Sequence, residues 1–167
     1  FYELSGGRIL LDGTDIRDFD VQSLRARVHL AGHDPWILNR SLRENLCFGL
    51  DPQPDDDRLW AALRDVELAV YFSGLPGGLD TVLGDDGVAL SEGQRQRVAL
   101  ARVLLRDLDL LIMDEATSAL DSALEERVWA AVLQRLAGRT ILVISHRLST
   151  VRMADHVLVM GSGGIVE

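Results

Sequence analysis

The run Leu110-Leu111-Ile112-Met113, wholly apolar and ended abruptly by Asp114-Glu115, constrains the fold more than any other stretch of this chain. An unbroken apolar segment of that length suits a buried strand of a parallel sheet rather than one half-exposed strand of an antiparallel sheet. The two acids then fall at the strand's C-terminal end, where open α/β sheets deliver side chains to a ligand crevice. Upstream, Leu90-Ser91-Glu92-Gly93-Gln94-Arg95-Gln96-Arg97 opens a helix with a hydroxyl, a glycine backbone and an amide. A helix start carries unpaired N–H groups and partial positive charge, so it holds phosphate well. One acid can hold Mg²⁺ through water while its neighbour polarises an attacking water. An anion-binding helix start combined with such an acidic pair points to nucleotide hydrolysis.

The rest of the chain fits an α/β order around these two segments. Gly7 to Leu11 reads as a strand turning at Asp12-Gly13, Val21 to Arg27 as a short helix, and Val28 to Ala31 as a buried strand. From Gly32 to about Leu105 the pattern is helical. Ser41 and Glu44 have capping-box spacing, and Asp55-Asp56-Asp57 opens a helix carrying Leu59, Leu63 and Val66 on one face. Those three acids are read as solvated charges at a helix start, not as a metal cluster. Ser91 to Leu105 forms an amphipathic helix with Val98, Leu100, Ala101, Leu104 and Leu105 inward. After strand 110–114 come a helix at 122–136, a strand at 140–145, a short helix near 147–153 and a strand at 156–160. Gly163-Gly164 then turns into Ile165-Val166. Strands alternating with helices imply parallel pairing. His146 follows the strand from Thr140 to Ser145, so parallel topology brings it to the same edge as Glu115, where it can bond a γ-phosphate.

In the same order along the chain, these residues resemble the nucleotide-binding domain of ATP-binding cassette (ABC) transporters. Leu90 to Gln94 is similar to the signature motif, Leu110 to Glu115 to the Walker B strand, and Ser118-Ala119-Leu120-Asp121 to the D-loop. Ile144 to Ser149 resembles the switch-histidine segment, and Asp80 to Gly87 the loop that exporters place before the signature. The resemblance implies a P-loop NTPase-like α/β fold, a parallel sheet core with an inserted α-helical subdomain. Residues 1–32 and 106–167 would form the core lobe and 33–105 the helical subdomain. It implies ATP and Mg²⁺ as cofactors, Glu115 as general base, His146 as phosphate switch, and Asp114 holding Mg²⁺ through water. Ser91, Gly93 and Gln94 would contact nucleotide held by the opposite subunit of a head-to-tail dimer. Ser118 and Asp121 would belong to the turn that couples the two composite sites. A second nucleotide-binding domain and an exporter's transmembrane domain are the implied partners, at the cytoplasmic face of the plasma membrane.

Three features set this chain apart from the family pattern. All 17 basic residues are arginine, so no G-x-x-x-x-G-K-[ST] phosphate loop lies within it. With Phe1-Tyr2-Glu3 resembling the segment that follows the Walker A helix, the expectation is a stretch of a longer domain that begins after that helix. Glu92 replaces one glycine of the signature's Gly-Gly pair. His33 occupies the position of the glutamine that would offer Mg²⁺ a hard oxygen, and imidazole suits softer metals. His33 and Glu92 therefore keep a second reading open, a catalytically weak regulatory half of a heterodimeric exporter.

Composition narrows the field further. A net charge of −9 without a basic stripe excludes a nucleic-acid surface, and a soluble ATPase of DNA repair or translation would need coiled-coil or basic inserts that the sequence lacks. Cys47 is the only cysteine, so no internal disulfide can form, and it reads as a small core residue beside Leu46 and Phe48. No apolar run approaches the roughly 20 residues that span a bilayer.

Overall fold

The computed structural model describes residues 4–166, so the likeness drawn from Phe1-Tyr2-Glu3 lies outside the described residues. Strands β1 (Leu10–Leu11) and β2 (Thr14–Asp15) form a hairpin, with Asp12 and Gly13 both in the left-handed region at φ 50 and 81. The strand expected over 7–11 pairs only at its last two residues. Helix α1 (Val21–Arg27) starts where Asp20 accepts the Ser23 N–H at 3.0 Å and runs directly into β3 (Val28–Ala31).

The predicted helical stretch holds α2 (Leu42–Leu46), α3 (Asp56–Asp65), α4 (Ala69–Ser73) and α5 (Glu92–Leu104). Ser41 and Glu44 make the expected capping box, and Asp55 caps α3 by accepting the Arg58 N–H at 2.9 Å. Asp56 pairs with Arg43. Leu59, Leu63 and Val66 are fully buried against Leu42, Leu46, Phe72 and Val98, each leucine contributing about 1.5–3 kcal/mol relative to exposure. Three arginines of this region staple α5 to its neighbours. Arg97 donates to Glu67 O at 2.8 Å, Arg102 to Asn45 O and Trp36 O at 2.8 Å, and Arg106 to Phe48 O. A guanidinium suits that task because its five donors can satisfy several loop carbonyls at once. Burial, with Arg106 nearby, brings Arg102 down to about 10, so it stays charged at neutral pH.

Beyond α5 the order is β4 (Leu110–Asp114), α6 (Ser122–Arg135), β5 (Thr140–Ile144) and α7 (Leu148–Val151). The central sheet is parallel, in the order β3-β4-β5. Register rows His29–Leu111–Ile141 and Ala31–Met113–Val143 share one face, which turns to the core with Leu111 and Met113 at most 1% exposed. Row Leu30–Ile112–Leu142 lies on the other face. There Leu30 is 67% and Leu142 49% exposed, so β4 is covered on one face rather than two among the described residues.

The strand expected at 156–160 does not form. Only Met160–Gly161 (β6) pairs, with Gly164–Ile165 (β7), extended by the Val166 N–H donating to Val159 O at 2.8 Å. Val157 and Leu158 are exposed. Apolar alternation specifies which face a strand would bury, but a strand forms only beside another that takes its N–H and C=O groups. Among the described strands β5 pairs only with β4.

Candidate functional site

The acidic strand end and the histidine meet as topology requires. β4 and β5 run parallel in register with Asp114 opposite Ile144, and the Glu115 N–H donates to Ile144 O at 3.1 Å. That bond turns the chain sharply: Glu115 sits at φ 50, a left-handed conformation uncommon for a non-glycine residue and typical of functional sites. The turn sets the Glu115 carboxylate beside His146, whose Nδ1–H donates to Glu115 Oε1 at 2.9 Å. With an ionised carboxylate as acceptor, the proton belongs on Nδ1, and Nε2 of this largely exposed ring is left to meet a ligand. Asp114 is exposed at the end of β4 and pairs with no basic side chain among the described residues. Nor do the described residues hold a cluster of three or more histidine, cysteine or acidic groups able to enclose a metal. That donor set fits Mg²⁺, which keeps most of its waters and takes one or two protein carboxylates. No lysine is available to grip the β- and γ-phosphates.

The first turn of α5 is built as a helix start, with its polar groups facing inward on each other. Ser91 Oγ accepts the Gln94 N–H at 3.3 Å and the Ser91 N–H donates to Gln94 Oε1 at 2.9 Å, a capping box. The Gln94 amide oxygen is therefore turned back on Ser91, and the Ser91 hydroxyl proton and the N–H groups of Glu92 and Gly93 are the groups of this turn that could meet an anion. Gly93 has a second reason to lack a side chain: a Cβ there would stand 3.1 Å from Ala119 O and 3.2 Å from Leu120 Cδ2. The signature-like turn and the 118–121 turn of the same chain are thus in close contact. Asp121 caps α6 by accepting the Leu124 N–H at 3.0 Å.

His33, two residues past the end of β3, reaches this contact. Its Nδ1 lies 2.8 Å from Ser118 Oγ, and its Nε2 lies 3.9 Å from Glu92 Oε1. Gln96 Nε2 donates to Ser118 Oγ at 3.0 Å, so the Ser118 hydroxyl joins Gln96 and His33. The two departures from the family pattern, His33 and Glu92, stand next to one another.

Three residues escaped the sequence reading. Gln96, 1% exposed, joins three segments: besides Ser118, its Nε2 donates to His33 O at 3.0 Å, and its Oε1 accepts the Ala119 N–H at 3.1 Å. Glu125, also 1% exposed, accepts from Thr117 Oγ1 at 2.7 Å and Ser149 Oγ at 3.1 Å, with Arg147 at 3.3 Å. Arg147 in turn donates to Thr117 O and Leu120 O, both at 3.0 Å. For two of them a signal existed. Gln96 falls on the inward stripe with Leu100 and Val103, and Glu125 on that with Val128, Trp129 and Val132. A polar residue at such a position is either paired inside or costly.

The fold and this edge define a nucleotide-binding α/β domain with a helical insert, and comparison with known proteins agrees. A family model described as ABC transporter matches residues 1–118; the chain belongs to the ABC transporter family. Over all 167 residues it is 45% identical to an ATP-dependent lipid A-core flippase of Alkalilimnicola ehrlichii, covering 28% of that protein. It is also 45% identical to the heterocyst differentiation ATP-binding protein HepA of a Nostoc species, covering 27% of it. A solved structure of a bacterial Atm1-family ABC exporter with ATP bound aligns over 99% of this chain and 29% of that one, with a TM-score of 0.91 and 36% identity. The chain spans less than a third of the relatives it matches.

Proposed function

We propose that this chain is the part of an exporter's ATPase domain that carries the catalytic base and the half-site offered to a second subunit, and that it drives ATP hydrolysis for transport. One observation carries the reading: Glu115 and His146 are hydrogen-bonded at 2.9 Å across the C-terminal ends of adjacent parallel strands, with Glu115 in a left-handed backbone. Bound ATP with its Mg²⁺ supplies the γ-phosphoryl group and neutralises its charge. Glu115 orients a water and takes its proton on a carboxylate oxygen, and the Nδ1–H of His146 holds that carboxylate in place. Asp114 holds the hydrated cation. Ser91 and Gly93 present a helix start to nucleotide bound by a partner domain in a head-to-tail dimer, with Gln94 shaping that start and Ser118 and Asp121 in the turn beside it. The exporter likeness implies a transmembrane partner and a place at the cytoplasmic face of the membrane.

The test is Glu115→Gln in the protein encoded by the intact reading frame. The amide keeps the shape but cannot accept the proton, so turnover should fall about 10²–10⁴-fold while ATP still binds. Turnover within a few-fold of the parent would place the base elsewhere. The regulatory reading draws on His33 and Glu92, and the intact Glu115–His146 pair favours the catalytic one.

A further inference from the structure

Among the described residues Gln96 is a side chain that bonds three segments of the site at once. Its amide is buried and makes three hydrogen bonds there. One N–H goes to the carbonyl of His33, the other to Ser118 Oγ, and the oxygen takes the Ala119 N–H. The segment carrying His33 leads out of β3, the 118–121 turn leads out of β4 past Glu115, and Gln96 itself lies one turn beyond Ser91 and Gly93 on α5. The missing Cβ of Gly93 lets Ala119 O approach the same helix, and the His33 ring closes the circuit by bonding Ser118. The link is therefore made of directional bonds between backbone and side chain, all within one chain.

We propose that Gln96 is a positioning residue that locks the His33 segment and the 118–119 turn to the first turns of α5. The turn that follows Glu115 is thereby held against the helix start that carries Ser91 and Gly93. The proposal rests on the ATPase reading above for its consequence, but the lock itself is a property of the fold. A buried amide with three partners is poorly replaced by an apolar side chain of equal length, because three polar groups lose a partner together. His33 in this setting serves the lock through Ser118.

The experiment compares the parent, Gln96→Met, Ser118→Ala and the double variant, all in the protein encoded by the intact reading frame. Hydrogen–deuterium exchange without nucleotide should be about tenfold faster in Gln96→Met for peptides covering 31–37 and 116–121, as expected from losing a hydrogen bond of ordinary net strength. Peptides within 97–104 should be unchanged. Steady-state turnover should show kcat reduced about tenfold with KM for ATP within about twofold, since the lock orients groups rather than gripping phosphate. The double variant should lose less than the product of the two single losses, because both remove the same link. Unchanged exchange at 116–121 overturns the proposal. So does uniformly faster exchange through 97–104, which would make Gln96 an ordinary packing residue, and so does a loss confined to KM. If the parent itself shows no turnover, the ATPase reading fails, and the exchange measurement alone decides whether the lock exists.

Discussion

Two acids of this chain differ sharply in burial, and their environments assign them different work. Glu115 is partly exposed at a strand end and meets one histidine. Glu125 is sealed inside and accepts from Thr117 and Ser149, with Arg147 in contact. Arg147 follows the proposed phosphate-bonding histidine and reaches back to Thr117 O and Leu120 O, so the Glu125–Arg147 pair ties the 117–120 turn to the segment after β5. Removing one partner of a buried ion pair leaves a charge without compensation, typically at 3–5 kcal/mol. Arg147 retains some exposure, which places Glu125→Leu at the lower end, about 3 kcal/mol, with Glu125→Gln less harmful because it can still accept from the hydroxyls. Urea unfolding measures both. A Glu125→Leu midpoint equal to the parent's would mean the pair holds nothing together.

At the scale of elements, short helices such as α2 hold their place through caps and neighbours, because five residues are too few to be helical alone. Glu44 closes the capping box of α2. The Ser41 backbone N–H first, then the Ser41 hydroxyl and Arg40, hold its carboxyl below the usual carboxylate range. Its folded-state value lies below the unfolded one, so the stabilisation is complete above the ordinary carboxylate range and disappears as pH falls through the depressed value. Urea midpoints of the parent and Glu44→Ala should differ at pH 7, and the gap should narrow as the solution is acidified below the ordinary carboxylate range. A gap that stays constant would show that the carboxylate charge is irrelevant to the cap. Asn45, one residue on, is fully buried and fixes the loop before α2 by accepting the Leu38 N–H at 2.9 Å and donating to Leu38 O at 3.0 Å.

For the whole molecule, the central sheet decides what the chain can do by itself. One face is covered by the core and the other exposes Leu30, Leu142 and Ile144, although parallel sheets are ordinarily covered on both. Asp114 is on that open side, in register with Ile144. A nucleotide placed there would meet the acidic edge and His146 but no lysine or glycine-rich phosphate cradle, and electrostatics at an acidic edge disfavour an unescorted polyphosphate. Calorimetric titration of the 167-residue chain, with circular dichroism confirming its helices, should show no saturable Mg-ATP binding at millimolar nucleotide. Micromolar affinity would mean that these residues hold a complete phosphate site.

Local chemistry made much of this legible in the residues alone. Ser41, Asp55 and Ser91 announced helix starts because a side-chain oxygen satisfies N–H groups two or three residues on, a short-range interaction. The apolar run at 110–113 announced a strand, and parallel order then brought Glu115 and His146 to one edge. Partnership over long distances was not legible. Val157 to Val159 is a short apolar run that suits a strand, yet whether it pairs depends on what lies beside it. His33 stood out by its position in the chain, but its bond to Ser118, 85 residues away, came from how β3 and β4 leave the sheet side by side. Gln96 and Glu125 carried a warning, polarity on an inward stripe, but their partners are fixed by packing. Hydrogen bonds between segments far apart in the chain are chosen by the tertiary structure, since only the folded core brings those groups within 3 Å of each other.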